Sequence, residues 1–468
     1  MTKKFKLWQK ILIVIGCIVG VFLIGVGGAA ITTVNFRASY YKPVAESVQK
    51  DETRKTGALY ANGRGIYDKD GKRVALNGIS FGNYLVQEGW LSVNSLGVKY
   101  NADGSYAKIN EDGIIEEYEE TYQSEIDEAL KNNENLTAEQ IDELWQVYYD
   151  NFITEDDYRR VKEVGFNTIR LPMYYRNFLT GDDDKLVLKK NAFELLDRFL
   201  ENCKKYSLYA VLDMHGVPGG QNGYEHSGTR TTEFWDNETY ITEMCDLWRT
   251  IALRYSTERS DLYDTIACYD LINEPEDKNT NETETKQFAV QDRMYKAIRE
   301  VDKEHMISIA GCWFFNKFPS PEKFGWENVM YQIHLYNWNE SVISNDLYYF
   351  AMDLSHSLAA YNVPYMIGEF TFFNNEAEWA KWLDEYDERG WNWCVWTYKA
   401  VSVGWWDTSW GLYVNKLDLK NEQKKLDLRT ATYDEILSVW QTVSTSQSYT
   451  NDGVLLRAMK AHFEEKEQ

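Results

Sequence analysis

The sequence lacks the marks of several large functional classes. It has no CxxC pair: six cysteines stand at 17, 203, 245, 268, 312 and 394, and Cys17 falls in an apolar N-terminal run. Five scattered thiols argue against a disulfide framework and a zinc site, and read as small core residues. Positive charge is scarce. Lys and Arg number 50 against 73 Asp and Glu, a net charge of −23, whereas a nucleic-acid surface needs clustered basic groups. There is no HExxH metal motif, and no Gly-rich phosphate or dinucleotide loop after an early strand. Internal repeats and low-complexity blocks are also missing.

What is present is a long chain, rich in rings. Its 468 residues, 44% apolar, exclude a disordered polymer and leave ample chain for a core, in one large domain or in two to three ordinary ones. Trp, Tyr and Phe number 17, 33 and 20, which is 15% of the residues. Flat apolar faces with polar tips suit wet, amphipathic ligands such as sugars, although a large core also absorbs many aromatics.

The start reads as an anchor. Residues 1–10 carry Lys3, Lys4, Lys6 and Lys10 and no acid, and residues 11–31 carry no charge over 21 positions. A helix needs roughly 20 apolar residues to cross a bilayer, against about 7–15 in a cleavable signal peptide. Gly28, Ala29 and Ala30 leave cleavage, and hence secretion, as the alternative. The lysine cluster stays cytoplasmic, so the expected arrangement is a basic segment (1–10), a single-pass membrane helix (11–31), a linker (32–60) and an extracytoplasmic domain (61–468).

Within 61–468, short β-rich runs alternate with amphipathic stretches. The runs are Val74–Phe81, Thr168–Leu171, Tyr209–Met214, Ile266–Ile272, Met306–Ala310, Val329–Ile333, Tyr365–Ile367 and Trp391–Trp396. Eight buried strands with helices between them predict an α/β fold, a parallel (β/α)₈ barrel. An open doubly wound sheet alternates in the same way but wants the missing phosphate loop. Helices are expected at 154–164, with Thr154 as N-cap and Gly165 as stop, at 191–205 and at 453–465. The connection 84–153, between strands one and two, is 70 residues long, far beyond an ordinary loop. Its acidic stretch Glu116–Glu128 reads first as a solvated helix face, and alternatively as a lid or cleft wall.

In such a barrel the chemistry lies at the C-terminal strand ends. Those ends carry Arg170, then Asp213 and His215, then Asn273 and Glu274, then His334 and Tyr336, then Glu369, and finally Trp396. Glu274 and Glu369 stand out because each closes a nearly apolar run, where a carboxylate is costly unless paired. A salt bridge to Arg170 is the plain structural explanation. The functional one is a pair of glutamates flanking a glycosidic bond, one an ionised nucleophile held by Arg170 and Tyr336, the other a proton donor.

The runs RLP, MHG, LINEP, HLY, IGEF and WTYK occur in that order across 74–400, and this ordered set resembles glycoside hydrolase family 5, the cellulase-type family. The resemblance implies a retaining enzyme without cofactor or metal, with Glu274 as general acid/base and Glu369 as nucleophile. It implies Asn273 as the contact to the sugar 2-hydroxyl, Arg170, His215, His334 and Tyr336 as the surrounding shell, and Trp396 as a platform beneath the sugar. The loop HGVPGGQNGYEHSG at 215–228 is similar to that of the family's exo-β-1,3-glucanases, which implies a β-glucan or gluco-oligosaccharide substrate. Other readings are an endo-β-1,4-glucanase, a glycolipid glycosidase and a non-catalytic glycan-binding surface protein.

Weaker signals have plainer explanations. Gly78, Ser80 and Gly82 match GxSxG, but inside a strand rather than at a strand-to-helix elbow. Asp213 and His215 share a strand face without a third metal ligand at suitable spacing. His305 and His462, in charged helical surroundings, are expected to face solvent, and His226 to touch either substrate or water. Trp313, Phe314, Phe315, Trp338, Trp405, Trp406 and Trp410 fall on the expected active face, as sugar platforms or as loop packing.

Overall fold

Eight β-rich runs pair in parallel and close on themselves in this computed structural model, which describes residues 25–95, 120–276, 283–339, 341–402, 410–416, 426–450 and 453–466. The barrel strands are β1 (Asn77–Ser80), β2 (Thr168–Tyr174), β3 (Tyr209–Gly216), β4 (Ile266–Asp270), β5 (Met306–Ala310), β6 (Val329–Leu335), β7 (Tyr365–Phe370) and β8 (Asn392–Val395). They follow one another around the barrel in chain order, and β8 returns to β1 through Trp393 opposite Asn77. The sequence therefore places every strand, and closure removes the edges that an open sheet would expose.

Alternation along each strand sorts the side chains. Ala210 and Leu212 of β3, Tyr331 and Ile333 of β6, and Trp393 and Val395 of β8 join the large cluster beneath the helices. Their neighbours Val211, Met330 and Cys394 point into the barrel, where they meet Cys268, Met306 and Met366. The hairpin Tyr60–Asn62/Gly65–Tyr67 closes the N-terminal end, with Leu59, Ile66 and Leu76 completing that plug.

The surrounding helices include α1 (Gln123–Asn132), α2 (Ala138–Phe152), α3 (Glu155–Val164), α4 (Glu194–Lys205), α5 (Glu238–Ser256), α6 (Thr283–Val301), α7 (Val342–Ser357), α8 (Glu376–Arg389), α9 (Tyr433–Trp440) and α10 (Val454–Lys466). Helix α3 starts at a Thr154–Asp157 capping box and stops at Gly165, whose φ of 118° suits glycine. Cys203, Cys245, Cys268 and Cys394 are buried free thiols, and Cys312 is a partly buried one.

Two expectations need correction. His305 is buried: Nδ1 lies 2.6 Å from Asp302 and Nε2 2.9 Å from the Tyr263 carbonyl. His462, on α10, is also buried, 3.1 Å from Asp387 of α8 and against Trp393. Tertiary partners on other elements, invisible in a local reading, supply the polar contacts that permit this burial. As for the expected membrane helix at 11–31, residues 11–24 lie outside the described residues and 25–40 are helical. Among the described residues no helix is long and apolar enough to cross a membrane.

The described parts of the 84–153 connection bear on the barrel mouth. Helix α1 is held by Gln123, whose side-chain oxygen accepts from the Gln87 amide at 2.9 Å, and α2 by the Tyr148 hydroxyl, which donates to the Asn83 carbonyl at 2.6 Å, and by Trp145 against Trp440 of α9. The acidic stretch, described from residue 120 onward, packs on the loop after β3. The Ser124 amide donates to the Gly228 carbonyl at 2.9 Å, and the Tyr122 hydroxyl to that of Gly223 at 3.2 Å. Burial pushes Asp127 up to about 6, so this face is not simply solvated.

Candidate active site

Arg170 organises the mouth of the barrel. It points inward from β2, wholly buried, and its three guanidinium nitrogens reach three strands. Nη1 donates to Glu369 at 2.7 Å, Nη2 to the Asn273 amide oxygen at 2.8 Å, and Nε to Asp270 at 3.2 Å. Asp213 stands 3.1 Å from Nη2. One cation thus faces three buried carboxyls, more negative charge than it can balance. Burial pushes Asp213 up to about 7, and burial together with Asp213 pushes Asp270 up to about 6. Gln332 of β6 donates the remaining hydrogen bond to Asp270, at 2.7 Å.

A second chain of contacts aligns Asn273. Burial drives His215 well below its ordinary range, so its ring is neutral. Nδ1 faces Asp213 at 2.6 Å and therefore donates, which leaves Nε2 to accept from the Asn273 amide at 3.4 Å. The same ring lies parallel to Trp396 at the end of β8, with centroids 5.4 Å apart. Asn273 consequently has both ends of its amide assigned, one to Arg170 and one to His215.

Glu274 and Glu369 face one another. Oxygen atoms of the two and Nδ1 of His334 all lie within 4.8 Å of each other. His334 bridges them, 2.7 Å from Glu274 and 3.5 Å from Glu369. Burial pushes this histidine down to about 4, so at neutral pH it is an uncharged donor rather than a counter-ion. The cluster is held by donor–acceptor pairing among its own members, as is the more exposed Asp384, Asp387 and His462 group, where Lys466 also pairs with Asp387. The two glutamates differ in setting. Glu369 accepts from the Arg170 guanidinium and, at 3.0 Å, from the Tyr336 hydroxyl, whose proton burial and Glu369 hold firmly in place. Glu274 has its carboxyl pushed up by burial, against which His226 and Arg170 pull.

The backbone at Glu274 has φ of 38°, in the left-handed region that a side chain tolerates only when its surroundings hold it. The loop after β3 supplies that hold. Gln221 donates to the carbonyls of His215 (2.7 Å) and Asn273 (3.1 Å), and Asn222 to that of Glu274 (3.1 Å). Gly220, at φ 71°, lets the loop turn where a Cβ would come 2.3 Å from the Thr231 carbonyl.

All eight expected site residues meet at this mouth: Arg170, His215, Asn273, Glu274, His334, Tyr336, Glu369 and Trp396. Of the aromatics, Phe315 is core, stacked on His356, and Trp410 is buried beside Tyr336, whereas Trp338 is largely exposed and stacks on Tyr336. Trp405 and Trp406 lie outside the described residues. Asp270, Gln332, Gln221 and Asn222 were not expected there, although Asp270 stands four residues before Glu274 in YDLINEP. Glu88 was also missed. It is a further buried carboxyl, held by the Trp90 indole at 2.9 Å and pushed well up by burial and by Glu369. Nothing local in its sequence marks it.

The family model for cellulase, glycosyl hydrolase family 5, matches residues 123–402. The chain is similar to a β-xylosidase of Phanerodontia chrysosporium, 31% identical over 284 residues, covering 60% of this chain and 52% of that one. It is similar to endoglucanase C of Acetivibrio thermocellus, 30% identical over 215 residues, covering 42% of this chain and 57% of that one. A third relative is a glucan 1,3-β-glucosidase of Candida oleophila, 26% identical over 200 residues, covering 43% of this chain and 42% of that one. The chain spans about half the length of these curated relatives. A match across more than half of its residues, over a closed eight-stranded barrel with both glutamates at its mouth, makes this chain a member of glycosyl hydrolase family 5.

Proposed function

We propose that this chain is a retaining β-glycosidase that hydrolyses β-glucosidic bonds in glucans or gluco-oligosaccharides, exo-β-1,3-glucanase-like in mode and anchored to the membrane by its N-terminal helix. The observation that carries the reaction class is the pair Glu274 and Glu369, with oxygens within 4.8 Å of each other and opposite settings. That spacing fits a retaining pair, roughly 5–5.5 Å apart, and leaves too little room for the water of an inverting pair, roughly 6.5–9.5 Å apart. Glu369, aimed by Arg170 and Tyr336, attacks the anomeric carbon. The bond to the glycosidic oxygen breaks, and that oxygen leaves with its electron pair and the proton of Glu274. A glycosyl ester remains on Glu369. Glu274, now a carboxylate, takes a proton from a water that attacks the same carbon and frees Glu369. Asn273, with one amide hydrogen on His215, has the other to offer the sugar 2-hydroxyl.

The substrate assignment rests on the loop 215–228 and the connection packed on it, which together wall one side of the mouth, and on a relative named a glucan 1,3-β-glucosidase. Membrane anchorage rests on the uncharged run 11–31 behind four lysines. Product analysis on laminarin and on soluble cellulose tests the substrate: glucose alone from laminarin is the expected result. Mixed oligomers from cellulose would instead make the chain an endo-β-1,4-glucanase, the reading favoured by its likeness to endoglucanase C. Turnover with a 2-deoxy-2-fluoro-β-glucosyl fluoride tests the chemistry, since a covalent adduct should appear on Glu369 in peptide mass spectra. An adduct on another residue would overturn that assignment.

A further inference from the structure

His226 touches Glu274 and has no role in the reaction just described. It sits in a single 3₁₀ turn, Glu225–Ser227, which Gly228 closes. The turn is fixed from both sides. The Thr121 amide donates to Glu225 at 2.6 Å, and the Ser227 hydroxyl to the Tyr224 carbonyl at 2.7 Å. His226 Nε2 lies 3.0 Å from Glu274 Oε2 and 2.6 Å from the Asn222 side-chain nitrogen.

These contacts constrain where the protons are. The Asn222 amide has a fixed orientation, because its oxygen accepts from the Tyr224 amide at 2.9 Å and its nitrogen donates to the Glu274 carbonyl. The nitrogen therefore presents a hydrogen to His226 Nε2, which meets it as an acceptor. The same single lone pair stands 3.0 Å from Glu274 Oε2, an approach that is favourable only if that oxygen carries a proton, so Nε2 is shared between the Asn222 hydrogen and the Glu274 proton. The other oxygen, Oε1, already receives the Nδ1 hydrogen of His334 at 2.7 Å. We propose, building on the acid/base reading of Glu274, that His226 is a positioning residue that shares the acid proton of Glu274 and holds it on Oε2.

The other charged or titratable groups near the pair do not duplicate this. His215 approaches His226 edge-on, with ring centroids 6.0 Å apart, and Tyr224 stands at 5.6 Å. On the Glu274 side, the charged form of His226 itself and then Arg170 pull its proton off, while Glu276 and Asp213 favour keeping it. A pair that shares one proton releases it at a higher pH than Glu274 does alone. His226→Asn should therefore move the alkaline limb of kcat/KM down by about one pH unit, the worth of one such hydrogen bond. A role confined to packing would lower kcat/KM evenly and leave the limb in place.

The experiment combines that profile with histidine ¹⁵N NMR, which is readable because the chain has six histidines. In the wild type, the His226 nitrogens should titrate in two coupled steps. Glu274→Gln should reduce them to one. His226→Gln serves as a second variant if His226→Asn loses its thermal transition. An unmoved alkaline limb, or a His226 titration indifferent to Glu274→Gln, would overturn the proposal. The spectra need no turnover, so they judge the shared proton even if Glu274→Ala shows that this residue is not the general acid.

Discussion

The two ends of the barrel are built from the same strands and are buried to similar degrees, yet they hold opposite chemistry. Along β3 the inward residues run from Val211 to Asp213 to His215, and along β6 from Met330 to Gln332 to His334. At the N-terminal end these side chains meet Leu59, Ile66, Met306, Met366 and Cys394, a plug of carbon and sulfur. At the C-terminal end they meet Arg170, Asp270, Glu274 and Glu369. The apolar end needs only complementary volume, worth roughly 25 cal/mol for each Å² removed from water. The polar end leaves Asp213 Oδ1, Asp270 Oδ1 and Gln332 Oε1 without a hydrogen-bond partner among the described residues and carries more negative charge than Arg170 neutralises. Burial there raises carboxyl affinities for protons rather than adding stability. The same strand architecture thus assigns stability to one end and reactivity to the other.

The comparison breaks most sharply at Glu369, the proposed nucleophile. Glu369→Gln is expected to lower kcat by on the order of 10⁴-fold or more while the thermal transition and sugar binding persist. A near-normal rate would remove Glu369 from its role. Glu274→Ala comes next, with a loss of roughly 10²–10⁴-fold on substrates with poor leaving groups. Activated aryl glycosides should be largely spared, and azide should restore their turnover. Equal loss on every substrate would count against a proton donor.

At the other end, Met330→Ala should cost about 2–5 kcal/mol in denaturant unfolding and leave kcat within roughly twofold. A catalytic defect there would show that the two ends are coupled. The smallest effect concerns the surplus charge. Asp213 and Asp270, raised to about 7 and about 6, keep protons in the folded state that the unfolded chain has already released. Their contribution to stability is present at low pH and is lost as pH rises from about 4 towards 7. In Asp213→Asn that part of the slope should flatten, as urea midpoints at pH 4.5 and 7.5 would reveal. Parallel slopes in the two proteins would mean that Asp213 keeps no extra proton in the folded state.

Much of this was legible in the linear chain because the barrel repeats a local rule. A β-rich run, a polar residue at its C-terminal end and a helix marked by caps recur along the chain, so β1–β8 and the two glutamates follow from periodicity and position alone. The histidines were not legible in this way. His305 and His462 lie in charged sequence, yet each is buried by partners from other segments, Tyr263 for one and Trp393 for the other. Glu88 belongs to a stretch without a strong periodic signal and acquires its surroundings only when it bridges to Tyr122 and comes near Glu369.

The sequence by itself determined the barrel, its chain order and the place of Glu274 and Glu369 at its mouth, because side-chain alternation and strand ends are local properties of the backbone. Only the tertiary structure decided the state of those groups. The neutrality of His334 and His215, the excess protons on Asp213 and Asp270, and the meeting of His226 with Glu274 depend on burial and on neighbours brought in from distant strands and loops. Desolvation and Coulomb interactions act through space, so no linear reading of the chain can supply them.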